Sequence, residues 1–315
     1  MEGDIDMKRL SIIVPCYNEE PALHLFFDVL KQEVGKMSIE VEYIFVNDGS
    51  KDKTLQILKE IKENNPKCDM KIINFSRNFG KEAGMLAGLK ESTGDYVVLM
   101  DADLQDPPHL LKEMLRQLEI EGYDSVATYR VDRKGEPPVR SFFARKFYQL
   151  INNISDVTII DGARDYRMMS RVMVDSITSL SEYHRFSKGI FAWVGFNTKY
   201  MEFENIERIA GETKWSFWKL VRYAIEGIVA FTTAPLRLSI FFGFVVSFFA
   251  FFYMIFVIFK AMLYGDPVAG YPSMLTIILF LGGIQLLSIG VLGEYLAKTY
   301  MEVKRRPNYI IKDRY

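Results

Sequence analysis

The sequence predicts an α/β domain built on a mostly parallel sheet, followed by a C-terminal two-helix transmembrane hairpin. Three observations carry this. Short, near-continuous apolar runs alternate with helical patterns through residues 1–205, as expected for strands covered on both faces. Four of those runs end in polar clusters. Two uncharged stretches follow, 238–259 and 268–293. Each is long enough to cross about 30 Å of hydrocarbon at about 1.5 Å per residue.

The elements follow in order. "LSIIVP" reads as a buried strand, with a helix over 19–35. "VEYIFVND" is a second strand, with a helix over 53–64, and "MKIINFS" a third, with a helix over 81–92. "YVVLMD" is the fourth, with a helix over 108–121, and "SVATYR" the fifth. In parallel sheets of this kind, ligands bind at the carboxyl ends of the strands. That rim would carry Pro15, Tyr17 and Glu19, then Asp48 and Ser50, then Ser76, Arg77 and Asn78, then Asp101 and Asp103. Gly80, Gly84 and Gly88 recur every four residues, a spacing that favours close helix–sheet packing. The linker "KAMLYGDPVAGYP" is short, so the two apolar helices form a hairpin. Lys214, Lys219, Arg222 and Arg237 precede it, and Lys298, Lys304, Arg305 and Arg306 follow it. The positive-inside rule then places both termini in the cytoplasm.

Composition excludes several classes. A net charge of -1 leaves no polyanion-binding signature, so nucleic acid is not an expected partner. Cys16 and Cys68 fit no metal or redox spacing and are expected as free thiols in a reducing compartment. His24, His109 and His184 are scattered, which gives no support to a histidine zinc site or a Ser-His-Asp triad. The start, "MEGDIDMKRLSIIVPCYNEE", lacks the apolar core of a signal peptide, so the first domain is expected in the cytosol. No G-x-G-x-x-G follows the first strand and no G-x-x-x-x-G-K-[ST] occurs, which argues against a dehydrogenase or P-loop enzyme.

The segment "VVLMDADLQDPP" offers carboxylates instead. Asp101 and Asp103 at one strand end repel each other unless positive charge sits between them. A hard divalent cation, Mg²⁺ or Mn²⁺, with a substrate diphosphate would complete the balance. Asp106, just before Pro107, is expected to start the next helix. Farther on, "YRVDRKGEPPVRSFFARKFYQL" interleaves basic and aromatic residues, a composition suited to a lipid headgroup layer. Arg130 and Arg145 are its expected contacts to a lipid phosphate. "KWSFWKLVRYAIEGIVAF" is a second amphipathic stretch, expected along the membrane interface.

The blocks "IIVPCYNEE", "FVNDGSKDKT", "FSRNFGKEAG" and "VLMDADLQDPP", taken in order with "RFSKGIFAWVGF" and "TKWSFWKL", resemble the family 2 glycosyltransferases of GT-A fold. With the hairpin, the chain looks like the polyprenyl-phosphate subgroup, which includes bactoprenol glucosyltransferases and dolichol-phosphate mannose synthases. The resemblance implies a cytosolic GT-A domain over 1–205 and a donor-closing loop with an interfacial helix over 206–234. It also implies two membrane helices within 235–300, at about 236–260 and 270–294, and a cytosolic tail over 301–315. Pro15, Tyr17, Glu19 and Asp48 would hold uracil and ribose, with Ser50 and Asp101 in the same nucleotide set. Asp103 and Gln105, joined by Asp101, would coordinate the metal. Asp161 and Asp165 are candidates for the acid beside the acceptor, with Asp165 preferred because it directly precedes "YRMM". Arg208 and Lys214 resemble the basic pair that closes over the donor diphosphate.

The implied activity is inverting, metal-dependent transfer of a hexose from a nucleotide sugar to polyprenyl phosphate at a bacterial cytoplasmic membrane. UDP-glucose is the first choice of donor and UDP-N-acetylglucosamine the second. A membrane-anchored nucleotide-sugar sensor or scaffold is the alternative. A processive polysaccharide synthase would need a Q-x-x-R-W block, where this chain reads "ETKWS". Gly282 and Gly283 offer small residues for a homo-oligomeric helix contact.

Overall fold

A computed structural model describes residues 8–130, 149, 152–153, 158, 160, 162–203, 229, 232–264 and 270–315. Five strands fall where the apolar runs are: β1 Arg9–Cys16, β2 Glu40–Asn47, β3 Asp69–Phe75, β4 Tyr96–Leu99 and β5 Ser125–Arg130. Between them lie α1 Leu23–Val34, α2 Thr54–Asn64, α3 Lys81–Glu91 and α4 Leu111–Glu119, the last preceded by a 3-10 turn at Pro108–Leu110. Further along come β6 Ala163–Ser170, α5 Arg171–Ser179, α6 Ser187–Trp193, β7 Thr198–Phe203, α7 Ala234–Tyr264, α8 Tyr271–Val303 and β8 Ile311–Arg314.

The eight strands form one sheet in the order β7-β5-β6-β4-β1-β2-β3-β8. β1 pairs in parallel with both β2 and β4, and β2 in parallel with β3. The four polar strand ends therefore lie on one edge, as the sequence predicts. β5 does not join that block directly. β6 inserts between β4 and β5, antiparallel to both.

Each face of the sheet buries its own core. Leu23, Phe26, Phe27, Leu30 and Val34 recur at helical spacing in α1 and pack with α2 and α4 against Leu10, Ile12, Phe45 and Tyr166. The opposite face packs α3, α5 and α6 against Ile13, Ile44, Val46 and Met169. The middle of α3, from Ala83 to Leu89, is wholly buried. A Cβ at Gly88 would come within 2.2 Å of Ile13 Cγ2, and one at Gly84 within 3.3 Å of Pro15 Cβ, so the packing role expected of these glycines holds. Gly80 differs. No atom lies within 4 Å of a Cβ there, and its φ of +98° suits glycine at the turn into α3.

α7 and α8 pack against each other, and Tyr295 donates to the carbonyl of Thr232 at 2.6 Å. Ala234–Tyr253 and Phe280–Val303 are long and apolar enough to cross a membrane, with mean hydropathies of 1.9 and 1.4. Neither stretch is buried in the protein, unlike a soluble core helix. Their exposed apolar surface, Phe244 and Leu286 among it, is the kind that associates with lipid.

The chain then returns to the first domain. β8 runs antiparallel beside β3, where only a tail was expected. Ile72 and Tyr315 exchange backbone hydrogen bonds of 2.9 Å, and Asn74 Nδ2 donates to Asp313 at 2.9 Å. Tyr309 stacks on Phe75 at 5.0 Å between ring centroids.

Candidate active site

The rim is laced by short polar bonds between loops. After β1, Asn18 takes a φ of 56° and turns the chain. Its N–H donates to Ser50 Oγ at 3.0 Å, and Lys51 N–H donates back to Asn18 Oδ1 at 2.9 Å. The Glu19 N–H donates to Thr54 Oγ1 at 2.9 Å. Pro15, Tyr17, Glu19 and Ser50 are thus held on one edge, with Tyr17 exposed. Asp48 is buried. Its carboxylate accepts the Phe79 N–H at 2.6 Å and the Gly80 N–H at 2.9 Å, tying the end of β2 to the turn into α3. Burial pushes its carboxyl up against those two bonds.

Past β4, Leu104 has a φ of 59° and folds the acidic segment into a tight loop. Asp103 Oδ1 accepts the Gln105 N–H at 3.1 Å. Asp106 departs from its expected role. The 3-10 turn is capped at Pro107 with no side-chain bond. Asp106 instead accepts the Asp101 N–H at 2.9 Å and pairs with Arg164 Nε at 3.0 Å, closing the loop from inside. Burial and then the neighbouring Asp101 push its carboxyl up to about 7, against the pull of Arg164. Helix-start chemistry lost to this buried role.

The last register pair of β4 and β6 is Leu99↔Arg167. Continued by two residues, it sets Asp165 opposite Asp101. Asp165 is the third residue of β6 rather than the residue before a strand. Lys81, the first residue of α3, joins the two acids. Its Nζ lies 2.7 Å and 2.8 Å from the oxygens of Asp101 and 3.0 Å from Asp165 Oδ2. Burial alone would raise the Asp165 carboxyl, but Lys81, Lys188 and Arg167 outweigh it and hold it at about 2. The Lys81 ammonium is held well above its ordinary value, burial being overcome by Asp101 and Asp165.

Next to it, Glu82 accepts the Ser187 N–H at 3.1 Å and 3.2 Å, and also the Ser187 hydroxyl. Burial pushes its carboxyl up to about 7. This bond joins α3 to α6 and so positions Lys188, inside the block "RFSKGIF". Arg167 is buried under Asp165, with its guanidinium 4.0 Å from the Phe191 ring centroid.

Sequence reading missed Lys81, Glu82, Arg164 and Lys188. One signal for Lys81 was present: a lysine in the first turn of a helix opposes the helix dipole, so its place there needs carboxylate partners. Asp161, Arg145, Arg208 and Lys214 lie outside the described residues, as does the side chain of Arg130.

Among the described residues no three His, Cys, Asp or Glu side chains close around one point as an all-protein metal cage. A site for Mg²⁺ or Mn²⁺ needs less: one or two carboxylates, completed by substrate phosphates. Asp101 and Asp103 would supply that pair at the sheet edge. A cation, the Lys81 ammonium, already sits on Asp101, so the donor set suits positive charge.

Residues 11–178 match the glycosyl transferase family 2 profile. A putative glycosyltransferase of Bacillus subtilis is 44% identical over 305 residues, 96% of this chain and 91% of its own. The prophage bactoprenol glucosyl transferase homolog of Escherichia coli K12 is 43% identical over 96% of this chain and 98% of its own. The bactoprenol glucosyl transferase of Shigella phage SfX is 42% identical over 97% and 99%. Mannosyl-3-phosphoglycerate synthase from Rubrobacter xylanophilus superposes with a TM-score of 0.48 over 70% of this chain and 71% of its own, at 17% identity. With the acidic strand ends assembled on a mostly parallel sheet and kinship running nearly end to end, the chain belongs to glycosyl transferase family 2 and is a glycosyltransferase.

Proposed function

We propose that this enzyme transfers a hexose from a UDP-sugar to a polyprenyl phosphate, with inversion at the anomeric carbon. The observation that carries this is the meeting of Asp101 and Asp165 around Lys81 on one sheet edge, in a chain that continues into two exposed apolar helices. Relatives named bactoprenol glucosyl transferases, matched over nearly their full length, support the acceptor and favour glucose; N-acetylglucosamine is the second choice of donor sugar.

Pro15, Tyr17, Glu19, Asp48 and Ser50 would seat the nucleoside, with Arg208 and Lys214 closing over the diphosphate. Asp101, Asp103 and Gln105 would hold Mg²⁺ or Mn²⁺, which when bound supplies positive charge to the departing diphosphate. An acceptor phosphate oxygen attacks the anomeric carbon. The bond from that carbon to the diphosphate oxygen breaks, and UDP leaves with its electron pair. A phosphate monoester has its second pKa near about 6 and is largely dianionic at neutral pH, so the nucleophile needs no strong base. Asp165 then orients the acceptor or steadies positive charge on the sugar ring. Arg130 and Arg145 would receive the lipid phosphate. The basic flanks of α7 and α8 would keep the catalytic domain on the cytoplasmic side of a bacterial membrane.

The test uses purified protein in detergent with undecaprenyl phosphate, Mg²⁺ or Mn²⁺, and radiolabelled UDP-glucose, UDP-N-acetylglucosamine or GDP-mannose. Label should enter the organic phase with a UDP-sugar and be lost in Asp103→Ala. Tight nucleotide binding without transfer from any donor would sink the reading.

A further inference from the structure

The acids at this site do not stand alone. One ammonium, Lys81 Nζ, spans both Asp101 and Asp165 within 3.0 Å, and Glu82 and Asp106 also lie in its field. The side chain is half-exposed and starts from the first turn of α3, where the helix dipole repels it. The two carboxylates hold it there.

Two consequences follow from charge alone. A divalent cation that binds through Asp101 meets an ammonium already on the same carboxylate, and the two compete. A dianionic acceptor phosphate that approaches Asp165 meets a carboxylate, and the ammonium removes that repulsion. We propose that Lys81 is a shared counter-ion: it competes with the divalent cation for Asp101 and neutralises Asp165 for the incoming acceptor phosphate. Lys81 is a positioning residue in this role. With a divalent cation held at Asp101, Lys81 would be left to Asp165 alone, and the loaded donor site would favour acceptor entry. The acceptor half rests on the transfer reaction proposed above; the metal half does not.

The two halves predict opposite signs for one substitution. In Lys81→Met, Mn²⁺ titrated into donor-free protein and followed by electron paramagnetic resonance should bind about fivefold tighter, a charge-competition effect of under one decade. The KM for undecaprenyl phosphate should rise by about tenfold or more, while the KM for the UDP-sugar does not rise with it. Lys81→Arg keeps the charge and should return both values to within about threefold of the parent. Thermal unfolding of each variant reports that the fold is intact. Generalised damage would weaken metal and acceptor together, so joint weakening overturns the proposal. Unchanged Mn²⁺ affinity or unchanged acceptor KM in Lys81→Met overturns it as well. If the parent protein transfers no sugar, the transfer reading fails, and the Mn²⁺ titration still decides whether Lys81 competes for Asp101.

Discussion

Asp165 carries a charge that its surroundings choose for it. Burial favours the neutral acid, yet Lys81, Lys188 and Arg167 keep the carboxyl at about 2. A group so acidic is a poor proton acceptor at neutral pH, where an efficient base has a pKa near the working value. Its service is a fixed negative charge. Asp165→Asn should therefore lower kcat by roughly 10²–10³, the scale of a removed electrostatic contact. The pH dependence of the remaining activity should match the parent. Loss of a limb of the pH profile in the variant would instead identify Asp165 as the titrating base.

Glu42 shows how one buried charge joins several elements at the other end of the sheet. It sits on β2, fully buried, and accepts from Ser11 of β1 at 2.5 Å, Lys71 of β3 at 2.8 Å and the Thr93 N–H at 2.6 Å. Burial raises its carboxyl, but the bonds from Lys71, Ser11 and Thr93 prevail and bring it to about 2. A folded-state value below the unfolded one gives stability that is present above the unfolded pKa and lost as pH falls through the folded one. The window here runs from about 4.5 down to about 2. Glu42→Gln should cost about 3 kcal/mol at pH 7, with the gap to the parent closing below pH 4. Denaturant unfolding at several pH values checks this, and a gap that does not vary with pH would refute the linkage.

At the scale of the whole molecule, the segment after α8 closes the sheet. Without β8, β3 would present an open edge, a template for association with other chains. Ending the chain at Arg306 removes the paired bonds of Ile72 with Tyr315, the Ser76 to Ile310 bond and the Asn74 to Asp313 bond. At about 0.5–1.5 kcal/mol each, the loss of these four bonds is roughly 2–6 kcal/mol, with increased aggregation. An unchanged melting temperature in detergent would show that the edge strand contributes nothing. The same return path brings Glu302, near the end of α8, to the backbone N–H of Tyr183, which donates to its two carboxylate oxygens at 2.9 Å and 3.1 Å. The apolar helices are thereby fastened to the loop that leads into α6.

The sequence by itself determined the first five strands, the polar rim and the two apolar helices, because each depends on local periodicity or on transfer from water to hydrocarbon. "VVLMDADLQDPP" announced its carboxylates in the same way, through residue type alone. Tertiary structure decided which of those groups meet. The insertion of β6 between β4 and β5 is a choice of strand partner, and no local pattern encodes it; only that antiparallel register sets Asp165 opposite Asp101. The same holds for Asp106, which reads as a helix cap in sequence and becomes a buried partner of Arg164 once β6 is in place. Lys81 stands in plain view in "FSRNFGKEAG", yet its role exists only where two strand ends distant in the chain converge on one ammonium.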